Sequence, residues 1–174
     1  LITGTLCGLL NALLIVGFNI PSIIVTLATM SVFRGLSYVL LKDDAIYGFP
    51  RSFTYFGTGY IPRTYIPLEL IVFPILMIIT WFILHKSTFG KKIYSVGLNP
   101  EASFRSGIDV KKVHIIVFSW AGFLYSLAAI LLVSRIGSVR PNIATGYELE
   151  IIATVVFGGT AIFGGYGNVW GYVL

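Results

Sequence analysis

The sequence predicts an all-α, polytopic helical membrane protein with about five membrane segments, the last of them broken by glycines. Three observations predict it. The 174 residues are 56% hydrophobic and 11% charged with a mean hydropathy of +0.89, where a soluble domain carries about 45–50% apolar and about 25% charged residues. So little charge cannot cover a water-facing surface, and the same composition excludes disorder. Residues 1–33 carry no charge at all. Lys and Arg gather instead in connections between apolar runs, above all in 86–112.

As one straight helix, residues 1–33 would run about 50 Å at 1.5 Å per residue, against a hydrocarbon core of roughly 30 Å. Asn19-Ile20-Pro21-Ser22 is the expected break: Asn19 can cap, and Pro21 is tolerated in a first helical turn. Spans are therefore expected over 1–18 and about 20–41, the alternative being one tilted helix kinked at Pro21. The connection 42–66 holds Lys42, Asp43, Asp44, Arg51 and Arg63 together with Tyr47, Phe49, Phe53, Tyr55, Phe56, Tyr60 and Tyr65. It reads either as an interfacial aromatic belt or as a surface that touches a partner or stacks on a sugar. A third span, 67–85, includes Glu69 and Pro74, and a fourth covers 113–133. The loop 134–147 carries Arg135, Arg140 and Pro141, and the last apolar segment is 148–174.

Six Lys and Arg fall in 86–112, three in 42–66 and two in 134–147. The positive-inside rule places 86–112 in the cytoplasm and the other two connections outside, with one span separating each from the next. The net charge of +5 then belongs to a cytoplasmic loop and argues poorly for nucleic acid. Cys7 is the only cysteine and His85 and His114 the only histidines, so no intrachain disulfide and no Cys/His metal cluster is expected. The two histidines bracket 86–112 as interfacial residues. With no initiator Met, charged n-region or cleavage site, the first residues do not read as a signal peptide. The chain opens and closes inside apolar sequence, which reads as an internal piece of a longer protein.

Within 86–112, the stretch 99–107 reads as a short capped helix. Asn99 suits the N-cap, Pro100 the first turn, Glu101 the positive end of the dipole and Gly107 a left-handed stop. Ala102 completes its first turn, while Phe104 offers one large apolar knob with Arg105 beside it. A two-turn helix is marginal in water, so its persistence implies packing on something. It is either a solvated connection or a docking helix for a soluble partner that moves the spans above it.

The run Ser95-Val96-Gly97-Leu98-Asn99-Pro100-Glu101-Ala102-Ser103-Phe104-Arg105-Ser106-Gly107-Ile108 resembles the cytoplasmic signature of ribose-type ABC importer permeases, approximately G-x-N-P-E-A-A-R-x-S-G-I. It departs in placing Ser103-Phe104-Arg105 where an Ala-Arg pair is usual. Ile20-Pro21-Ser22-Ile23-Ile24-Val25-Thr26-Leu27-Ala28-Thr29-Met30 with Arg34-Gly35-Leu36 is similar to the same family's I-P-S-F-I-V-T-L-G-T-M…R-G-L. Gly146-Tyr147-Glu148-Leu149-Glu150, Gly158-Gly159-Thr160 and Gly164-Gly165-Tyr166-Gly167 resemble its G-Y-E-L…GG-T…GG-x-G. The likeness runs from Asn11 to the C-terminus with the motifs in family order. It implies the central and later part of a transport subunit, not an enzyme, in the bacterial cytoplasmic membrane. It further implies an ABC ATPase dimer that binds ATP and engages Asn99, Pro100, Glu101, Ala102, Phe104, Arg105 and Gly107. A second permease copy or a related permease would complete the pathway, and an extracytoplasmic substrate-binding protein would dock outside. The cargo implied is a ribose-like monosaccharide, with autoinducer-2 as the alternative.

Gly158, Gly159, Gly164, Gly165 and Gly167 make 148–174 a poor continuous helix, at roughly 1 kcal/mol per interior glycine relative to alanine. Irregular backbone at membrane depth survives only when buried in protein or lining a water-filled cavity. The segment is thus expected beside the translocation path, in close packing through small residues, or both; Gly4-x-x-x-Gly8 suggests such packing too. Pro21 belongs with these positions, and so does Asn11, whose ordinary role is a hydrogen bond between helices. Gly146 and Glu148 fall at the outer face, where Glu148 and Glu150 either complement a helix N-terminus or serve docking and entry. Arg34 falls near the outer interface, where it can snorkel. No Gly-x-x-x-x-Gly-Lys-Ser/Thr loop, Gly-x-Ser-x-Gly elbow or His-Glu-x-x-His helix occurs, so neither ATP hydrolysis nor membrane-enzyme chemistry is expected of this chain. An ion-coupled secondary transporter would need ionisable residues near the midplane of its spans. The middle portions of spans one, three and four carry none.

Overall fold

The computed structural model describes residues 1–42, 44–60, 67–161, 164–167 and 169–172. The uncharged N-terminal run forms two helices, α1 (Ile2–Phe18) and α2 (Ser22–Leu41), rather than one kinked rod. Asn19 makes the break by taking φ 53°, ψ 36° as the C-cap of α1, a left-handed conformation that asparagine accepts more readily than most residues. Asn19 therefore closes α1 instead of opening α2. Pro21 stands just before α2, not in its first turn, and its carbonyl accepts from the N–H groups of Ile24 and Val25 at 3.1 and 3.3 Å. Its missing N–H costs nothing there. α2 ends in the same way as α1, on Lys42 at φ 48°.

The next connection is more ordered than its composition suggests. β1 (Ile46–Tyr47) is followed by the short helix α3 (Arg51–Thr58), which the sequence reading did not foresee. Asp43, Arg63 and Tyr65 lie outside the described residues. α4 (Glu69–Lys86) carries Pro74 inside it and is followed by α5 (Thr88–Leu98), α6 (Pro100–Arg105) and α7 (Val110–Ile136). β2 (Ser138–Val139) pairs antiparallel with β1, Ile46 opposite Val139 and Tyr47 opposite Ser138. Last comes α8 (Tyr147–Phe157), then a 3₁₀ turn at Val169–Tyr172. The regular structure of the described residues is helical apart from this small ribbon and an isolated bridge between Tyr60 and Pro67.

Three of these helices, α2, α4 and α7, are long and apolar enough to cross a membrane; α1 is apolar but runs only 17 residues. The 27 residues of α7 give about 40 Å at the helical rise, more than a hydrocarbon core of roughly 30 Å, so this helix tilts or projects beyond it. Among its described residues the fifth expected segment is α-helical only over α8, with the 3₁₀ turn at Val169–Tyr172 beyond it.

Two compact units share the chain: residues 1–71 with 114–143, and residues 72–113 with 144–174. In the first, α1 lies against α7 at a glycine crossing. A methyl on Gly4 would meet the Gly122 carbonyl oxygen at 2.7 Å, and one on Gly122 would meet Gly8 Cα at 3.0 Å. Small residues let the two backbones touch where lipid offers no hydrophobic drive to hold helices together. The ribbon and α3 close the far end of α7. Ser134, fully buried, donates its hydroxyl to Phe53 O at 2.6 Å, Arg135 pairs with Glu69 at 3.0 Å, and Arg140 donates to Tyr47 Oη at 2.6 Å. In the second unit, α6 packs on α5, and α8 meets the 3₁₀ turn.

Candidate functional site

Three side-chain caps, each reaching the N–H three residues on, turn the basic connection into a rigid staircase. Ser87 accepts from Gly90 N, Asn99 Oδ1 from Ala102 N and Asp109 Oδ1 from Lys112 N, all at 3.0 Å. Each satisfies a backbone donor that a helix start leaves unpaired. Asn99 also ends α5, its N–H donating to Ser95 O at 3.1 Å, so α5 and α6 share one residue as exit and entry. α6 stops where Gly107 takes φ 82°. There the N–H groups of Gly107 and Ile108 donate to the carbonyls of Phe104 and Ser103, both at 3.0 Å. This left-handed closure accounts for carbonyls that would otherwise go unpaired.

The support for so short a helix is therefore capping at both ends and α5 beneath it. The packing residue is Ser103, 5% exposed, and not Phe104, which stays 71% exposed. At 100° per residue the two neighbours cannot share a face. Phe104 stands in solvent together with Leu98, 73% exposed, at the end of α5. Arg105 pairs with Glu101 at 2.7 Å one turn away, both side chains more than three-quarters exposed; such a pair is worth little in water, about 0.3–0.5 kcal/mol. Lys91, Lys92 and Lys111 are exposed as well. Asp109 is held below the ordinary carboxylate range first by the N–H of Lys112 and then by its side chain, whose Nζ lies 3.1 Å from Oδ2. The arrangement is an exposed apolar knob beside the Arg105–Glu101 pair on a short capped helix, with exposed lysines before and after it in the chain. Chemically it can grip an acidic or amphipathic protein surface.

α5 was missed in the sequence, although its signal is present. Phe89, Ile93 and Val96 recur at helical spacing, as do Gly90, Tyr94 and Gly97, while Lys91 and Lys92 fall on the other side. The lysine pair and two glycines hid it. At its entry, Trp81 stacks on His85 with centroids 5.8 Å apart, His85 meets Tyr94 edge-on at 6.2 Å, and the Lys86 ammonium lies 6.0 Å from the Trp81 ring. Aromatic and basic side chains grouped at a helix end suit an interface with lipid headgroups.

The glycine positions sort by geometry. Gly158 is the C-cap of α8, and Gly159, at φ 83°, closes it: its N–H donates to Val156 O at 3.0 Å and that of Thr160 to Val155 O at 3.2 Å. Gly164 and Gly165, at φ 87° and 82°, shape a turn that rests on Gly97 of α5. Gly167 accepts a hydrogen bond from Tyr94. Residues 162–163, 168 and 173–174 of the expected last segment lie outside the described residues. Gly146, at φ 96°, precedes α8 and donates its N–H to Glu148 Oε2 at 3.1 Å, so Glu148 folds back over the start of its own helix. Asn11 sits in α1 with Oδ1 buried and no hydrogen-bond partner among the described residues. Among the described residues no group of three or more His, Cys, Asp or Glu could hold a metal ion.

A family model described as branched-chain amino acid transport system / permease component matches residues 1–174. The ribose import permease protein RbsC of Bacillus subtilis is 40% identical over 94% of this chain and 51% of its own length. Its namesake in Haemophilus influenzae is 36% identical over 100% of the chain and 54% of its own length. The autoinducer 2 import system permease protein LsrD of Escherichia coli O9:H4 is 34% identical over 98% of the chain and 53% of its own length. The chain thus spans about half the length of these relatives. No solved structure matches it.

Proposed function

The chain belongs to the permease-component family of branched-chain amino acid transport systems, and from that premise we propose that it forms part of the membrane subunit of an ATP-binding-cassette importer. It is a multi-pass membrane protein. Its cargo in this reading is a ribose-like monosaccharide, carried across the bacterial cytoplasmic membrane by alternating access. The carrying observation is the doubly capped helix α6, which presents Phe104 and Arg105 to solvent from a lysine-rich connection. An exposed aromatic beside an arginine is the composition of a protein-binding hot spot. An ABC ATPase dimer docks there, binds and hydrolyses ATP, and drives the spans through α6. The capped ends make this possible: a helix fixed at both termini transmits displacement where a solvated loop would absorb it.

The other partners follow the same reading. A second permease copy or a related permease completes the pathway. An extracytoplasmic substrate-binding protein docks on the opposite connections, 42–66 and 134–147, and on the start of α8 at Gly146 and Glu148. Ribose is placed before autoinducer-2 because the relatives named for ribose reach 40% identity and that named for autoinducer-2 reaches 34%. Deleting 100–106 from the full-length permease is expected to abolish copurification of the ATPase while membrane insertion persists. Phe104→Ala is expected to weaken that association at least tenfold, the scale of a hot-spot truncation. Undiminished copurification after the deletion would sink the assignment, and uptake that survives ATP depletion but collapses with an ion gradient would favour a secondary transporter.

A further inference from the structure

The glycine-broken segment is bound to the helix beneath α6, where Gly165 rests on Gly97 and on the neighbouring Leu98. A methyl on Gly97 of α5 would stand 2.6 Å from Gly165 N and 3.2 Å from Gly165 Cα, so backbone rests there directly on backbone. Three residues earlier on the same face, Tyr94 Oη donates to Gly167 O at 3.0 Å. α8 ends in the left-handed closure at Gly159, and the following turn is tied by Ala161 N to Tyr166 O and Gly164 N to Ala161 O, both at 3.0 Å. A methyl on Gly171, beyond the turn, would collide with the Gly158 carbonyl, so the 3₁₀ turn lies tight against the end of α8. On the other side α5 is fused to α6 at Asn99. α6, α5 and the seated residues Gly165 and Gly167 are therefore in direct succession of contact, the requirement for carrying a displacement between distant points.

Resting on the reading of α6 as the ATPase dock, we propose that the Gly97–Gly165 seat and the Tyr94–Gly167 hydrogen bond are the joint through which α6 moves the glycine-broken segment. Gly97 is glycine because any side chain would unseat the turn. Tyr94 is a positioning residue: its hydroxyl acts on the transport path only through Gly167, while its ring, packed edge-on to His85, anchors α5. Irregular backbone within a membrane segment is tolerated only against protein or a water-filled cavity, so a turn seated on α5 can change its exposure to the path when α5 shifts.

The test uses the full-length permease assembled with its ATPase and binding protein in liposomes. Tyr94→Phe removes the hydroxyl and keeps the ring; Gly97→Ala drives a methyl into Gly165. Both are expected to copurify with the ATPase and to show the basal ATP hydrolysis of the parent. Substrate moved per ATP hydrolysed is expected to fall roughly fivefold in Tyr94→Phe, the factor one neutral hydrogen bond supplies, and further in Gly97→Ala. An unchanged ratio in Tyr94→Phe overturns the joint, whatever Gly97→Ala does to folding. Loss of copurification in Tyr94→Phe overturns it too, since the hydroxyl would then serve docking. If the parent permease holds no ATPase, it is the reading of α6 that fails, and the 100–106 deletion tells the two failures apart.

Discussion

Asp109 shows how much of this molecule's order rests on single side chains. Its Oδ1 caps α7 and its Oδ2 faces the Lys112 ammonium. The Lys112 N–H, followed by the Lys112 side chain, holds the carboxyl below its ordinary value. A carboxyl with a lowered folded-state pKa stabilises the fold above its unfolded-state pKa, about 3.9, and that contribution drains away as pH falls through the lower folded value. Asp109→Asn keeps a capping oxygen and loses the ion pair, whereas Asp109→Ala loses both. Amide exchange over 110–113 at neutral pH is expected to quicken clearly in Asp109→Ala and little in Asp109→Asn, with the acid-dependent limb absent from both. Equal exchange in Asp109→Ala and the parent would remove the cap from the account. Asn99 and Gly107 were legible as helix signals because Pro100 and Glu101 sit beside them in the expected order. Ser87 and Asp109 have the same chemistry and were overlooked. Thr88 gives Ser87 no such helix-start neighbour, and Val110-Lys111-Lys112 masks the apolar run beginning at Val113.

At the level of elements, apolar helices read well and their partners did not. Long apolar runs with few charges declare α1, α2, α4 and α7, since a helix satisfies every backbone group within the one segment that crosses. Which helix Gly4 and Gly8 face is a tertiary fact, and it is α7 at Gly122. Without a hydrophobic drive between helices in lipid, that crossing depends on close approach. Gly122→Leu is expected to destabilise the unit by about 1–3 kcal/mol, the usual cost of overpacking. Gly17→Ala, at a helical position with open space around it, is expected to hold stability or raise it by up to about 1 kcal/mol. Thermal unfolding in detergent separates them: equal midpoints for the two variants would mean α1 and α7 do not meet at these glycines. α3 escaped notice because its aromatic residues suited an interfacial belt equally well, and two-residue strands are too short to leave a pattern.

At the level of the whole chain, charge counting and strand pairing bear independently on topology. The positive-inside rule puts 42–66 and 134–147 on the side opposite 86–112. The β1–β2 ribbon joins the first two of these connections directly, Ile46 to Val139 and Tyr47 to Ser138, so they share a side whatever the charges say. One helix, α4, leads from 42–66 into 86–112, and one, α7, leads out again to 134–147. Both are long enough to cross, and two crossings return the chain to the side it left. In the proposed topology, in which α4 and α7 both cross, the absolute direction rests on the six Lys and Arg of 86–112. The reporter position must be chosen from the structure: Ser103 is 5% exposed and would report burial rather than sidedness, whereas Phe104 is 71% exposed. In a Cys7→Ser background, Phe104→Cys is expected to resist a membrane-impermeant maleimide in sealed cells and to label once the membrane is opened. Tyr47→Cys, 62% exposed on the ribbon, is expected to label in sealed cells. The reverse pattern would invert the topology and leave the lysine-rich staircase on the side without ATP, where no nucleotide-driven partner could push on it.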